Sequence, residues 1–167
     1  ALMRQELPST EGRAIFLDHG VDLEHFRAVP REDQPADIRD LARPRLGFFG
    51  GLDDYIIDFD LLESIAEGLP DASLVLVGDA TCSMERFKRF PNVHWLGFQP
   101  YEKIPGYGSA FDVALMPWLD NNWIHHSNPI KLKEYLALGL PVVTIDFPEA
   151  HYYADHLAIT RGADDFV

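Results

Sequence analysis

The sequence is short of several things, and each shortage removes a class of function. It has one cysteine, Cys82, so no internal disulfide can form and a reducing compartment is expected. No apolar run approaches the roughly 20 residues of a membrane-spanning helix, and no signal peptide opens the chain. These absences predict a cytoplasmic protein without a membrane span and leave peripheral membrane association open. Positive charge is scarce: 14 lysines and arginines against 27 aspartates and glutamates give a net charge of −13. Nucleic acid, which needs a basic footprint, is thereby excluded as a partner. The dinucleotide fingerprint Gly-x-Gly-x-x-Gly is missing, so a nicotinamide or flavin cofactor has little support.

What is present is an ordinary globular composition, 47% hydrophobic and 25% charged over 167 residues, enough for one domain. Apolar runs recur at Leu46, Leu74, Val93, Val113, Val142 and Ala158, separated by helical or loop stretches. That alternation predicts an α/β fold, a Rossmann-like parallel sheet with helices on both faces. Arg45–Phe49 reads as the first core strand, Asp60–Gly68 as a helix and Ser73–Asp79 as the second strand. Residues 30–44 read as surface loop with one helical turn, and Tyr101–Ala110 as a short helix weakened by glycine. Ala14–Leu17 reads as a short strand, 149–156 as a helix, Leu157–Thr160 as a last strand and Asp164–Val167 as the start of another helix. Gly50 and Gly51 come directly after the first core strand, and a glycine pair there lets backbone approach a ligand closely. Asp79 ends the second strand, where it suits a site residue or a helix cap equally.

The richest stretch runs from His126 to Ile145. Ser127 or Asn128 can cap a helix, and Pro129 fits its first position. Leu132 and Leu136 share a face, Gly139 and Pro141 stop the helix, and Val142, Val143 and Ile145 form a buried strand. Lys131 falls in the first turn, where the helix dipole disfavours a cation. An anion held jointly by the free amides and the ammonium would account for it. Glu134, three residues on, shares that face and could accept from ribose hydroxyls. An i,i+3 surface ion pair between Lys131 and Glu134 accounts for the spacing equally well.

The segment Asn128-Pro-Ile-Lys-Leu-Lys-Glu-Tyr-Leu-Ala-Leu-Gly-Leu-Pro-Val-Val143 resembles the nucleotide-binding segment of GT-B glycosyltransferases. The likeness is to the large retaining group whose motif is Glu-x7-Glu and then Ala-x-Gly-x-Pro-Val-Val. Glu134 matches the second glutamate, and Ala137, Gly139, Pro141, Val142 and Val143 match the second part of the motif. His126 stands in place of the first glutamate. His19-Gly-Val-Asp-x-x-x-Phe26 resembles the crossover between the two domains of such enzymes. Asn92-Val-x-x-Leu-Gly-x-x-Pro100 resembles the strand and loop that frame the nucleobase, with Gly97 and Phe98 at the contact positions. Asp112-Val-Ala-Leu-x-Pro117 resembles the strand before the active-site loop, here 118–126, whose tryptophans, asparagines and histidines suit sugar recognition.

The resemblance implies residues 1–27 as lead-in and interdomain crossover and residues 28–167 as a nucleotide-sugar-binding domain. The N-terminal acceptor domain would be a missing partner. It implies transfer of a sugar from a nucleotide diphosphate sugar to a glycan, lipid-linked or small acceptor, with retained configuration and no metal or other cofactor. The donor would be held by Gly50, Gly51, Gly97, Phe98, Ser127, Asn128, Pro129 and Glu134, with His126 and Lys131 as catalytic residues. The family often has an arginine and a lysine after the glycine loop. Here Leu52, Asp53, Asp54 and Tyr55 occupy that place, which leaves Lys131 as the remaining cation. His125, His126, His151 and His156 have no metal-ligand spacing. Two other readings share the fold: a non-catalytic interaction or nucleotide-binding module, and a sugar-nucleotide epimerase.

Overall fold

The computed structural model describes residues 17–166. All six apolar runs are strands of one parallel sheet: β1 (Arg45–Phe49), β2 (Ser73–Val77), β3 (Val93–Trp95), β4 (Val113–Met116), β5 (Val142–Ile145) and β6 (Leu157–Thr160). Their order is β3-β2-β1-β4-β5-β6, the doubly wound arrangement expected from the sequence. β1 and β2 are buried along their whole length, which is why they read as unbroken apolar runs. Their register runs from Arg45 opposite Ser73 to Phe49 opposite Val77. β1 also pairs with β4, Leu46 opposite Val113, so the winding direction reverses between these two strands.

Short helices flank the sheet: α1 (Ala36–Arg39), α2 (Phe59–Gly68), α3 (Ile104–Gly108), α4 (Asn122–His125), α5 (Ile130–Ala137) and α6 (Ala163–Phe166). α2 starts where the Asp58 carboxylate accepts from the Leu61 N–H at 2.9 Å. It buries Phe59, Leu61, Leu62, Ile65 and Ala66, and its Glu63 pairs with Arg86 and Arg89. At the opposite end of the sheet Arg45, 1% exposed, donates to the carbonyls of Arg39, Leu41 and Ala110. Its guanidinium thereby satisfies the Arg39 and Leu41 carbonyls at the end of α1 and the Ala110 carbonyl after α3.

Several boundaries differ from the sequence reading. Pro129 is the N-cap of α5, with ψ at 119°, and the first helical residue is Ile130. Neither Ser127 nor Asn128 caps it, because both side chains are committed elsewhere. The loop after β4 contains α4, capped by the Asn121 side chain accepting from Ile124 N–H at 3.0 Å. Residues 150–156 form a 3-10 stretch broken at Tyr153, φ −119°, rather than a continuous helix. Tyr101–Lys103 is likewise a 3-10 turn, leading into α3. Of the expected Ala14–Leu17 strand, residues 14–16 lie outside the described residues; Leu17 is exposed and belongs to no strand.

Residues 22–26 pack onto this body. Asp22 accepts from the N–H groups of Glu24 and His25, at 3.0 and 3.1 Å, and this turn sends Phe26 inward. Phe26, 2% exposed, stacks on Phe49, which in turn stacks on Phe111.

Candidate functional site

The C-terminal ends of β1 and β4, where the strand order reverses, are where an open α/β sheet binds ligands. β1 ends at Gly50, φ +138°, whose N–H donates to the Val77 carbonyl at 2.8 Å. β2 ends at Gly78, φ +142°, whose N–H donates to the Gly97 carbonyl at 2.8 Å. The Trp95 indole N–H donates to the Gly78 carbonyl, also at 2.8 Å. Three adjacent loops are thus stitched together through backbone, and positive φ at both strand ends calls for glycine.

Lys131, in the first turn of α5, reaches this glycine loop. Its ammonium occupies the space beside Gly50, 2.3 Å from where a β-carbon on that residue would stand. It lies 5.3 Å from the ring centres of both Phe48 and Phe49, within cation–π range. Burial pulls the amine down to about 8, against the opposing attraction of Glu134. Tyr135 fixes α5 to β1, its hydroxyl accepting from the Phe49 N–H at 3.1 Å with the rings 4.6 Å apart.

Glu134 is 8% exposed, and burial raises its carboxyl while Lys131 and His25 lower it. Its charge also disfavours ionisation of Tyr101, after burial. Over Tyr101 lies the His25 ring, 4.3 Å away at 17°, its Nε2–H donating to the Tyr101 carbonyl at 3.1 Å. Lys131, Glu134, His25 and Tyr101 therefore share one electrostatic environment. The surface ion-pair reading does not hold: Glu134 is buried, Lys131 is half-buried, and the ammonium is directed to Gly50.

Of the residues singled out from sequence, Gly50, Lys131 and Glu134 come together, with Gly51 exposed beside them. Gly97 joins through its carbonyl, whereas Phe98 is 66% exposed. Ser127 donates to the Ile124 carbonyl at 2.9 Å, and Asn128 donates to Asp18 at 2.6 Å. With Pro129 at the N-cap, α5 has no side-chain cap. His126 is exposed, its Nδ1–H donating to the Asn122 carbonyl at 2.7 Å. His25 and Tyr101, beside Glu134, and Asp18 and Lys133, paired on another face of α5, were passed over in the sequence. Only the unusual burial of a lysine marks Lys133, and burial is not visible in a sequence.

A separate cleft of about 930 Å³ opens beyond the ends of β4, β5 and β6, with Trp118, His125, Asp146 and His151 among its lining. His125 pairs with Asp120 at 2.6 Å and His151 with Asp146 at 2.7 Å. Among the described residues no group of three His, Cys, Asp or Glu side chains could hold a metal ion, and no helix is long and apolar enough to cross a membrane.

Residues 43–165 match the family described as glycosyl transferases group 1. The chain is 32% identical over 148 residues to TuaH of Bacillus subtilis (strain 168), a glycosyltransferase of teichuronic acid biosynthesis by its name. That match takes in 86% of this chain and 37% of the relative. Among solved structures, sucrose-phosphate synthase from Thermosynechococcus elongatus superposes with a TM-score of 0.74 at 18% identity, over 98% of this chain and 44% of that one. HepE of Anabaena, in complex with UDP and glucose, gives 0.62 at 20% identity, over 88% and 43%. These structures share the fold, and the chain spans less than half of each relative.

Proposed function

Because the chain belongs to the glycosyl transferases group 1 family, we propose that it is the donor-binding half of a GT-B enzyme that transfers a sugar from a nucleotide diphosphate sugar. One observation carries the reading: the Lys131 ammonium sits against Gly50 at the end of β1, at the uncapped N-terminus of α5. A desolvated ammonium and free first-turn amides together make a site for a diphosphate. As the glycosidic bond breaks, negative charge grows on the leaving diphosphate, and donors already in place stabilise it without reorganisation. Glu134, on the same face of α5 and held out of water, accepts from the ribose hydroxyls. His126, at the exposed end of the loop, meets the sugar or a phosphate oxygen. Gly97 and Phe98 border the base.

On this reading the chemistry needs no metal, since Lys131 and the amides supply the positive field. An acceptor domain outside this chain supplies the other half of the active site. The likeness of residues 128–143 to the retaining group extends the proposal to retention at the anomeric carbon, which NMR of the product reads directly. The full protein is incubated with UDP-, GDP- and ADP-sugars, and release of nucleoside diphosphate is monitored. One donor should be consumed, and Lys131→Ala and Glu134→Ala should each abolish the signal. No consumption of any donor, together with no binding of any nucleotide, would favour the non-catalytic module instead.

A further inference from the structure

Two lysines two residues apart on α5 have opposite situations. Lys131 lies beside the glycine loop, bonded to no carboxylate among the described residues, whereas Lys133 is spent. Its side chain is 9% exposed, and its ammonium donates to the Asp18 carboxylate, to the His19 carbonyl at 3.1 Å and to Asn128 Oδ1 at 3.2 Å. An ammonium has three donors, and all three are used, so Lys133 has nothing left for a ligand. The Asn128 amide closes the ring by donating to the same Asp18 carboxylate at 2.6 Å. The ammonium and the amide together hold the Asp18 carboxyl at about 2, so the ring stays charged.

This ring ties three pieces together: residues 18–19 of the crossover, the loop residue just before α5, and the helix itself. α5 needs such a tie, because its own N-terminus lacks a side-chain cap and begins at a proline. Residues two apart on a helix point to different faces, so clamping Lys133 on one side sets the rotation that presents Lys131 on the other.

We propose that Lys133, Asp18 and Asn128 are positioning residues for the donor diphosphate, fixing the first turn of α5 so that Lys131 and the free amides face it. The inference rests on the donor-site reading above. It assigns to the crossover segment a part in the nucleotide site through Asp18.

The test separates diphosphate from nucleoside. Binding of UDP, GDP and ADP, and of uridine, guanosine and adenosine, is measured by calorimetry on the full protein, wild type and Lys133→Met and Asp18→Asn. Lys133→Met keeps the buried stem, and Asp18→Asn keeps the shape of a half-exposed group. The affinity for the selected diphosphate should fall about tenfold or more, each tenfold being about 1.4 kcal/mol, and by clearly more than nucleoside affinity, which depends on Glu134 one turn further along. Asp18→Glu should restore part of the loss. Should Lys133→Met fail to fold, Asp18→Asn gives the same reading alone. Equal loss for diphosphate and nucleoside, or no loss in either variant, overturns the proposal. Wild-type protein that binds no diphosphate overturns the donor-site reading and this inference with it.

Discussion

Gly78 and Gly50 meet so closely that a β-carbon on Gly78 would stand 2.0 Å from the Gly50 carbonyl oxygen. Both have positive φ, +142° and +138°. The two substitutions should nonetheless differ. Gly78→Ala drives a methyl into backbone that is hydrogen-bonded on both sides, so the fold should be lost or severely destabilised. In Gly50→Ala the nearest atom is the movable Lys131 ammonium, and the strained φ costs about 1–3 kcal/mol. That variant should fold with a lower melting temperature and lose nucleotide diphosphate binding. Thermal melts and titrations of the two variants side by side check this.

Tyr135→Phe removes the acceptor for the Phe49 N–H and leaves that amide unpaired in the core. An orphaned buried donor costs about 1–3 kcal/mol, read as a shift of the urea midpoint at constant m-value. Because the same bond ties α5 to the glycine loop, diphosphate affinity should drop as well. A variant that unfolds at the same midpoint would show that water reaches the amide.

Lys131 gives a pH dependence with a definite sign. Its amine is lowered from 10.5 to about 8 in the folded protein, so between these values the unfolded chain binds more protons. Stability of the ligand-free protein should therefore rise with pH across that window, and Lys131→Met should abolish the rise. A bound diphosphate raises the amine again, so binding near pH 8.5 should take up protons. Affinity should be full below about 8 and fall as pH climbs through the bound value. Calorimetry in two buffers of different ionisation heat measures the uptake directly.

Much of the fold was legible because parallel strands buried on both faces leave unbroken apolar runs, as β1 and β2 do. Gly50 and Lys131 were legible too: a glycine pair after a strand and a cation in a first helical turn are both local signals. The expected capping by Asn128 does not occur because its side chain turns away to partners at positions 18 and 133, and no local pattern encodes such long-range pairing. Lys133 shows the same limit, since its burial depends on Asp18 and His19, more than a hundred residues earlier in the chain. His25 on Tyr101 joins residues far apart in sequence, so spacing alone carried no trace of the stack.

Glu134 should divide binding in the other direction from the lysine. Glu134→Gln removes the carboxylate assigned to the ribose while leaving the ammonium beside Gly50 in place. Nucleoside and nucleoside diphosphate should weaken together, by roughly the 1.5–3 kcal/mol of a charge-assisted hydrogen bond, and preference for ribose over deoxyribose should vanish. Unchanged discrimination between the two sugars would remove Glu134 from the ribose.

In the proposed donor site the Lys131 ammonium and the uncapped start of α5 together hold a diphosphate. Titration of UDP, GDP and ADP into the full protein and into Lys131→Met, with thermal melts to confirm both are folded, tests it most directly. Binding of one nucleoside diphosphate to wild type and its loss in the folded variant is the predicted result. Equal binding by the two proteins would contradict the account.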